Sequence, residues 1–312
     1  MLSDAEQLFA LPFRTIAHTA ALDPRVWIAS TGISWRPGQA VETRYALGHA
    51  ASVRRDDSES ISRWECFERL LMNAEVTGSR GRVVHGTFRD GTRATSHPFE
   101  TVVPRPWDGG GESLFPGGAT GLAIHSCGET ARENAVTEVL ERYVSESLWL
   151  GNLREPANLL RADASSTSVW WPLGDGSVLA WHVAEQPDEQ VFVVGSAVRS
   201  EPAGAARHAH EEATMLLDAV LSQRRPNYSS EAKIHRYASL RGPASVARRE
   251  HFQRLITGSG QAGAVAEFAE MVSEHIVVYA LIEWPELVLV RGVPIGLGAP
   301  QRCSGIPDHP FS

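Results

Sequence analysis

Lysine is almost missing from this chain. Lys233 is the one lysine among 29 basic residues, and arginine supplies the rest. Any phosphate contact that a lysine would make must here fall to a guanidinium, or be missing. The GxxxxGK[ST] loop is missing as well, which excludes a P-loop nucleotide site. Cysteine is scarce: Cys66, Cys127 and Cys303 are too few and too widely spaced for a disulfide framework or a zinc site, and they suit a reducing cytoplasm. Positive charge is in deficit, the net charge being −8, so no basic surface for nucleic acid is announced. No apolar run approaches a membrane span. The opening MLSDAEQLFALPFRT carries acids early and lacks an apolar stretch of signal length, so no secretion signal is read.

What is present is ordinary globular material, 312 residues at 43% hydrophobic and 21% charged. That is enough for one large α/β domain over 1–312, with 1–42 and the proline-containing tail 300–312 as its outlying parts. Strands are expected at Val26–Ser34, Thr43–Val53, Arg82–Phe88, Val178–Val183, Val191–Val198, Ile276–Trp284 and Leu287–Pro294, where apolar residues alternate or run together. Helices are expected at Ser60–Val76, Thr130–Leu150, Gly204–Leu221, Ala244–Ile256 and Ala262–Ser273. Thr130 and Glu133 read as a capping box. Arg105–Gly118 and Arg225–Glu231 read as loops from their composition.

Two of these helices carry Glu-x-x-Glu-Arg: Glu65, Glu68 and Arg69 in SISRWECFERLL, and Glu138, Glu141 and Arg142 in ENAVTEVLERYV. With Glu and Arg each near about 6% of an average chain, chance supplies on the order of 0.1 such matches. Residues three apart stack along a helix, so each helix offers paired acids beside a cation. A solvated face laced with ion pairs is the bland alternative. The helical wheel argues against it: Ile61, Trp64, Phe67 and Leu71 define an apolar arc that contains Glu68 and borders Glu65, and the second helix is apolar on most sides. Carboxylates among core residues need partners or metal. The pattern therefore points to a magnesium–nucleotide site. Each acidic helix follows a strand-like segment, RYALGHAASV or GLAIH, and a third such unit follows in VFVVGSAVRSEP and GAARHAHEEATMLLDAVL, where Glu212 shares the face of Ala205, Ala209 and Leu216.

These residues resemble the YcaO family. The resemblance runs from about Thr43 to the C-terminus and is strongest in ATGLAIHSCGETARENAVTEVLERYV. Ser62, Glu65, Glu68 and Arg69 fit the family's Ser-x-x-Glu-x-x-Glu-Arg pattern. VGSAVRSEPAGAARHAHEEATM resembles its later strand and Glu-x-x-Gln helix, and PDHPFS resembles the proline-rich tails of its peptide-cyclising members. The resemblance implies a mixed or largely antiparallel sheet flanked by helices, with repeated strand–helix units converging on one nucleotide site. It implies ATP- and Mg2+-dependent phosphorylation of a backbone amide oxygen in a ribosomally made precursor peptide, with azoline formation favoured and thioamide or amidine formation as variants. An amide oxygen leaves poorly until it is phosphorylated, and phosphoryl transfer asks mainly for positioning and charge neutralisation. By the same resemblance, Glu65, Glu68, Glu138, Glu141 and Glu212 hold magnesium, Arg69 and Arg142 meet phosphate or orient carboxylates, and Ser62 bonds phosphate or ribose. Glu141, Arg142 and His309, the last in the tail, are the catalytic candidates. The implied partners are the precursor peptide, a separate protein that delivers it and a flavin-dependent azoline dehydrogenase; a homodimer is the assembly by analogy.

The sequence departs from that pattern in three places. Glu212-x-x-Met215 replaces Glu-x-x-Gln, and methionine is a poor ligand for a hard cation. SVRRDDSES replaces a Gly-Lys-Gly-like loop, leaving Arg54 or Arg55 to stand for the lysine. The tail ends in Ser312 instead of proline. These departures keep open a catalytically degenerate partner subunit of a peptide-modifying synthetase. A metallohydrolase built on His208 and His210 is disfavoured, because residues two apart point to different helix faces.

Overall fold

A computed structural model describes residues 11–35, 44–72, 79, 81–103, 120–163, 165–222, 240–258 and 263–298. The expectations for His309 and the tail, Cys303, Lys233, and the loops Arg105–Gly118 and Arg225–Glu231 fall wholly or largely outside those residues.

Three strand–helix units make up the described fold. In the first, strands β1 (Arg14–Thr19), β2 (Trp27–Trp35) and β3 (Arg44–Ser52) form a sheet in that order, and helix α1 (Arg55–Leu71) packs on β2 and β3. Short strands β4 (Val83–Val84), β5 (Gly86–Phe88) and β6 (His97–Pro98), a turn of helix α2 (Phe99–Val102) and strand β7 (Leu122–His125) lead to the long helix α3 (Gly128–Trp149). Strands β8 (Asn158–Ala162), β9 (Ser166–Pro172), β10 (Val178–Gln186) and β11 (Val191–Arg199) form a second sheet in the order β11-β10-β9-β8, crossed by helix α4 (Pro202–Leu221). Helices α5 (Pro243–Thr257) and α6 (Ala264–Glu274) precede strands β12 (Ile276–Trp284) and β13 (Leu287–Pro294). A third sheet of order β5-β12-β13-β7 packs β13 and β7 against α3. Every strand pair among the described residues is antiparallel.

Composition explains the layering. β10 and β11, VLAWHVAEQ and VFVVGSAVR, are almost continuously apolar because protein covers both faces: α4 on one side, α3 and α5 on the other. The core around them is aromatic. Trp171 and Trp181 meet edge to face at 4.8 Å, and Trp149 stands edge-on to His251 at the same separation. Their indole donors are satisfied inside: Trp171 Nε1 donates to the Glu155 carbonyl and Trp181 Nε1 to Ser145 Oγ, each at 3.0 Å.

Helix boundaries differ from the sequence expectation for local reasons. α1 begins at Arg55 instead of Ser60, because Asp56 and Asp57 suit the first turn of a helix. α3 begins at Gly128, so Thr130 lies inside the first turn and the capping box does not form. Cys127 occupies the cap position, and the N–H groups of Thr130 and Glu129 hold its thiol below the ordinary range. Ile61, expected on the buried arc of α1, is 48% exposed; the buried face instead runs through Ser58, Ser62, Cys66, Phe67, Leu70 and Leu71.

That shift has a cause in β3. A Cβ at Gly48 would lie 2.1 Å from the Ser62 carbonyl oxygen and 2.4 Å from the Cys66 nitrogen. Glycine alone lets α1 lie this close to the strand, so small residues form its inner face. Gly195 repeats the device on β11, where a Cβ would lie 2.1 Å from the Ala209 carbonyl oxygen and 2.5 Å from the Ala213 nitrogen of α4. The first and third units also dock directly. His18 Nε2 lies 3.1 Å from Asp218 Oδ2, and His210 bridges Asp23 at 3.0 Å and His182 at 3.1 Å.

Candidate functional site

β3 and β11 are both outer strands of their sheets, so each has N–H groups that no neighbouring strand accepts. Glutamates take them. The His49 N–H donates to Glu65 Oε2 at 2.7 Å, and the Ser196 N–H donates to Glu212 Oε2 at 2.7 Å. Each donor directly follows the glycine that lets its helix approach. Glu141 reaches β11 from α3, accepting from Ser196 Oγ at 2.8 Å and from the Val198 N–H at 3.3 Å. Carboxylates bonded in this way are strongly oriented.

The five glutamates singled out in the sequence form one electrostatic cluster drawn from three helices. Glu68 and Glu65 of α1 act on one another and on Glu138 of α3. Glu138 acts on Glu141, and Glu141 on Glu212 of α4. Arg69 Nη2 donates to Glu65 Oε1 at 3.0 Å, and its Nε lies 3.9 Å from Glu68 Oε1. Arg142 sits among Glu212, Glu141 and Glu138. The side chain of Glu68 is 14% exposed and that of Glu65 29%.

Enclosure drives the titration of these acids. Burial pushes Glu68 well above the ordinary carboxylate range; Arg69 opposes this, and Glu138 and Glu65 reinforce it. Burial pushes Glu138 up to about 7, against the pull of Arg142 and with the help of Glu141. Glu141 is likewise pushed up to about 7 by burial and Glu212, with Arg142, Ser196 and Arg199 acting the other way. Burial works against the charge on Arg69 and Arg142, yet the surrounding acids hold both guanidinium groups above their usual value. Among the described residues, no three His, Cys, Asp or Glu side chains are drawn close enough to ligate a single ion as they stand.

Other expected residues lie elsewhere. Ser62 is fully buried under β3, its hydroxyl 2.8 Å from Thr31 Oγ1 and donating to the Glu59 carbonyl at 3.0 Å, so it serves the helix–sheet contact. Arg54 and Arg55 are exposed at the start of α1, on Asp57 and Glu59 respectively, with Arg55 also over Trp27. About 15 Å of helix separates them from Glu65. Met215 packs against the cluster of Ala20, Val26 and Ile28. His208 turns to Glu211 while His210 turns to His182 and Asp23, which parts the two histidines as their spacing requires. A cavity of about 660 Å3 lies against Leu140, Phe88, Leu173, Arg89, Asp175 and Glu270, and none of the five glutamates lines it.

Three contributors escaped the sequence reading. Ser196 is the one polar side chain inside the buried stretch of β11, a signal that was legible. Arg199, at the end of the same strand, acts on Glu141. Arg291 is fully buried on β13, donates to the Val102 carbonyl and acts on Glu138; burial pulls it down to about 10. Only the return of β13 beside α3 brings it there.

No protein-family model and no curated protein sequence matches the chain. Solved structures do. YcaO from Methanopyrus kandleri, bound with AMPPCP and Mg2+, superposes with a TM-score of 0.61 at 15% identity over 95% of this chain and 90% of that one. A heterocyclase in complex with substrate and cofactor gives 0.60 at 12% identity over 90% of this chain, which spans 49% of the heterocyclase. A chain of the E. coli microcin synthetase McbBCD complex gives 0.57 at 13% identity over 85% of this chain and 87% of that one. The chain has the YcaO fold.

Proposed function

We propose that this chain uses ATP and magnesium to phosphorylate a backbone amide oxygen in a ribosomally made precursor peptide, so that a Cys, Ser or Thr side chain of the peptide closes an azoline ring. One observation carries the reading: five glutamates from three helices converge with two arginines into a single electrostatic cluster, in which burial raises three of the carboxyl groups. The donor set suits magnesium, which takes hard oxygen ligands and commonly links carboxylates to phosphates. Burial, reinforced by neighbouring acids, raises three of these carboxyl groups, and a bound cation would favour their ionised form. The fold shared with a YcaO bound to AMPPCP and Mg2+ supports the same choice.

In this reading Glu65, Glu68, Glu138, Glu141 and Glu212 hold the metal, which supplies neutralisation of phosphate charge when bound. Arg69 and Arg142 keep the carboxylates apart and offer donors to phosphate oxygens. Arg199 adds a guanidinium beside Glu141 in a chain with almost no lysine. The edge donors of His49 and Ser196 fix Glu65 and Glu212 in direction before any ligand arrives. The incoming nucleophile belongs to the peptide, and a separate protein presents that peptide.

A second reading, a non-catalytic YcaO-like subunit of a synthetase, is favoured by Met215, which stands in the glutamine position and packs into an apolar cluster. One experiment separates the two. The chain is incubated with ATP, magnesium, candidate precursor and partner protein, and the peptide is weighed. Loss of the mass of water supports ring closure; exchange of oxygen for sulfur indicates a thioamide. Glu141→Gln turning over ATP as fast as the parent would sink the catalytic reading.

A further inference from the structure

β11 reads VFVVGSAVR, and within its buried stretch only Ser196 has a polar side chain; it is 6% exposed. A hydroxyl in such a strand needs a partner. It finds one on a helix, not on the sheet: Oγ donates to Glu141 Oε1 of α3 at 2.8 Å. The backbone N–H of the same residue donates to Glu212 Oε2 of α4 at 2.7 Å. The N–H of Val198 takes the other oxygen of Glu141 at 3.3 Å. One residue thus spans two carboxylates from separate helices, and β11 directs both oxygens of Glu141. The corresponding residue of the first unit, His49, holds Glu65 through its N–H, but its ring bonds Ser30 on the adjacent strand. The hydroxyl link to a further helix belongs to the third unit.

We infer that Ser196 is a positioning residue for the cation site, its hydroxyl fixing Glu141 relative to Glu212. The inference rests on the magnesium–nucleotide reading above. Its physical basis is geometric. Magnesium demands near-ideal octahedral coordination, and two carboxylates on independent helices repel one another unless something sets their orientation. Without the hydroxyl, Glu141 is left to turn towards Arg142 or Arg199, which both act on it. Removing an outer hydrogen-bond partner of a metal ligand typically weakens metal binding about 10- to 100-fold.

The test titrates magnesium into the full chain in the presence of AMPPCP, by calorimetry, for the parent, Ser196→Ala, Ser196→Thr, Glu141→Gln and the Ser196→Ala/Glu141→Gln double variant, with melting temperatures alongside. Ser196→Ala weakens magnesium binding about 10- to 100-fold, Ser196→Thr restores most of it, and the double variant is no weaker than Glu141→Gln, because the hydroxyl acts through that carboxylate. Parent-like affinity in Ser196→Ala, or losses that add in the double variant, overturn the inference. Should the alanine variant not fold, Ser196→Cys keeps the shape with a weaker donor; parent-like affinity there overturns the inference equally. A parent chain that binds no magnesium with AMPPCP overturns the nucleotide reading itself, a result distinct from all the others.

Discussion

Glu65 and Glu212 occupy the same place in two different units: each accepts, at 2.7 Å, the N–H of the residue that follows a strand glycine, and the spacing from Gly48 to Glu65 equals that from Gly195 to Glu212. The first and third strand–helix units are thus built alike around a glycine contact and a carboxylate on an open strand edge. The metal-type pattern and the packing device are inseparable, because the close approach permitted by glycine is what brings the carboxylate within reach of the edge.

Adding a methyl group at either glycine tests that link. Gly48→Ala and Gly195→Ala force a Cβ to 2.1 Å from a helix carbonyl oxygen, so the helix must move. Each variant is expected to lose roughly 1–3 kcal/mol, as overpacked sites do, and to bind magnesium with AMPPCP more weakly. Gly204→Ala, on α4 with nothing within 4 Å of the added methyl, is expected to be neutral or to gain roughly 0.5–1 kcal/mol. Urea denaturation of the three variants checks both.

Stability should depend on pH and magnesium together. Glu138 is raised from 4.5 to about 7 on folding. A raised carboxyl binds its proton more tightly in the folded state, so its contribution is complete below about pH 4.5, is lost as pH climbs towards 7, and is level above that. The loss is on the order of 3 kcal/mol for this one group. Glu138→Gln removes this part of the slope. Saturating magnesium flattens it in the parent, because a cation favours the ionised form. Denaturation at pH 5 and pH 8, with chelator or with magnesium, measures the effect; an identical slope in both solutions contradicts it.

His182 works in the opposite direction. It is 5% exposed, and burial, reinforced by His210, holds it down to about 3. Its stabilising contribution is therefore intact above about pH 6.5 and falls as pH drops towards 3, by about 2 kcal/mol at pH 5. His182→Gln, which still offers bonds to Ser168 and His210, should lose less stability between pH 7 and pH 5 than the parent. An acid limb as steep as the parent's would count against this.

Met215→Gln restores the residue expected at that place from the YcaO resemblance. Because Met215 packs on the cluster of Ala20, Val26 and Ile28, the amide enters an apolar contact and should cost about 1–2 kcal/mol. No gain in magnesium affinity is expected. A tighter site in this variant would show that the methionine does impair the cation cluster.

Much of this was legible in the chain. The strands β2, β3 and β10 to β13 and the helices α1, α3, α4, α5 and α6 stand within a few residues of where apolar periodicity places them, and the largely antiparallel architecture follows the resemblance. β1 and β9 do not stand out in the sequence, because RTIAHT is short and exposes its apolar Ile16, while STSVWWP opens on three polar residues that are half-buried or buried. The burial of Ser62 was not legible in the chain either: it follows from Gly48, which lets that face of α1 lie against the sheet.

Local sequence decided which helices carry paired acids, and that those acids share a side with apolar residues, since both depend only on spacing along a helix. Tertiary structure alone decided that three helices bring the acids together, that edge N–H groups orient them, and that Arg291 and Ser196 join them. Those facts arise from strand order and helix approach, and residues far apart in the chain reveal such relations only once folded.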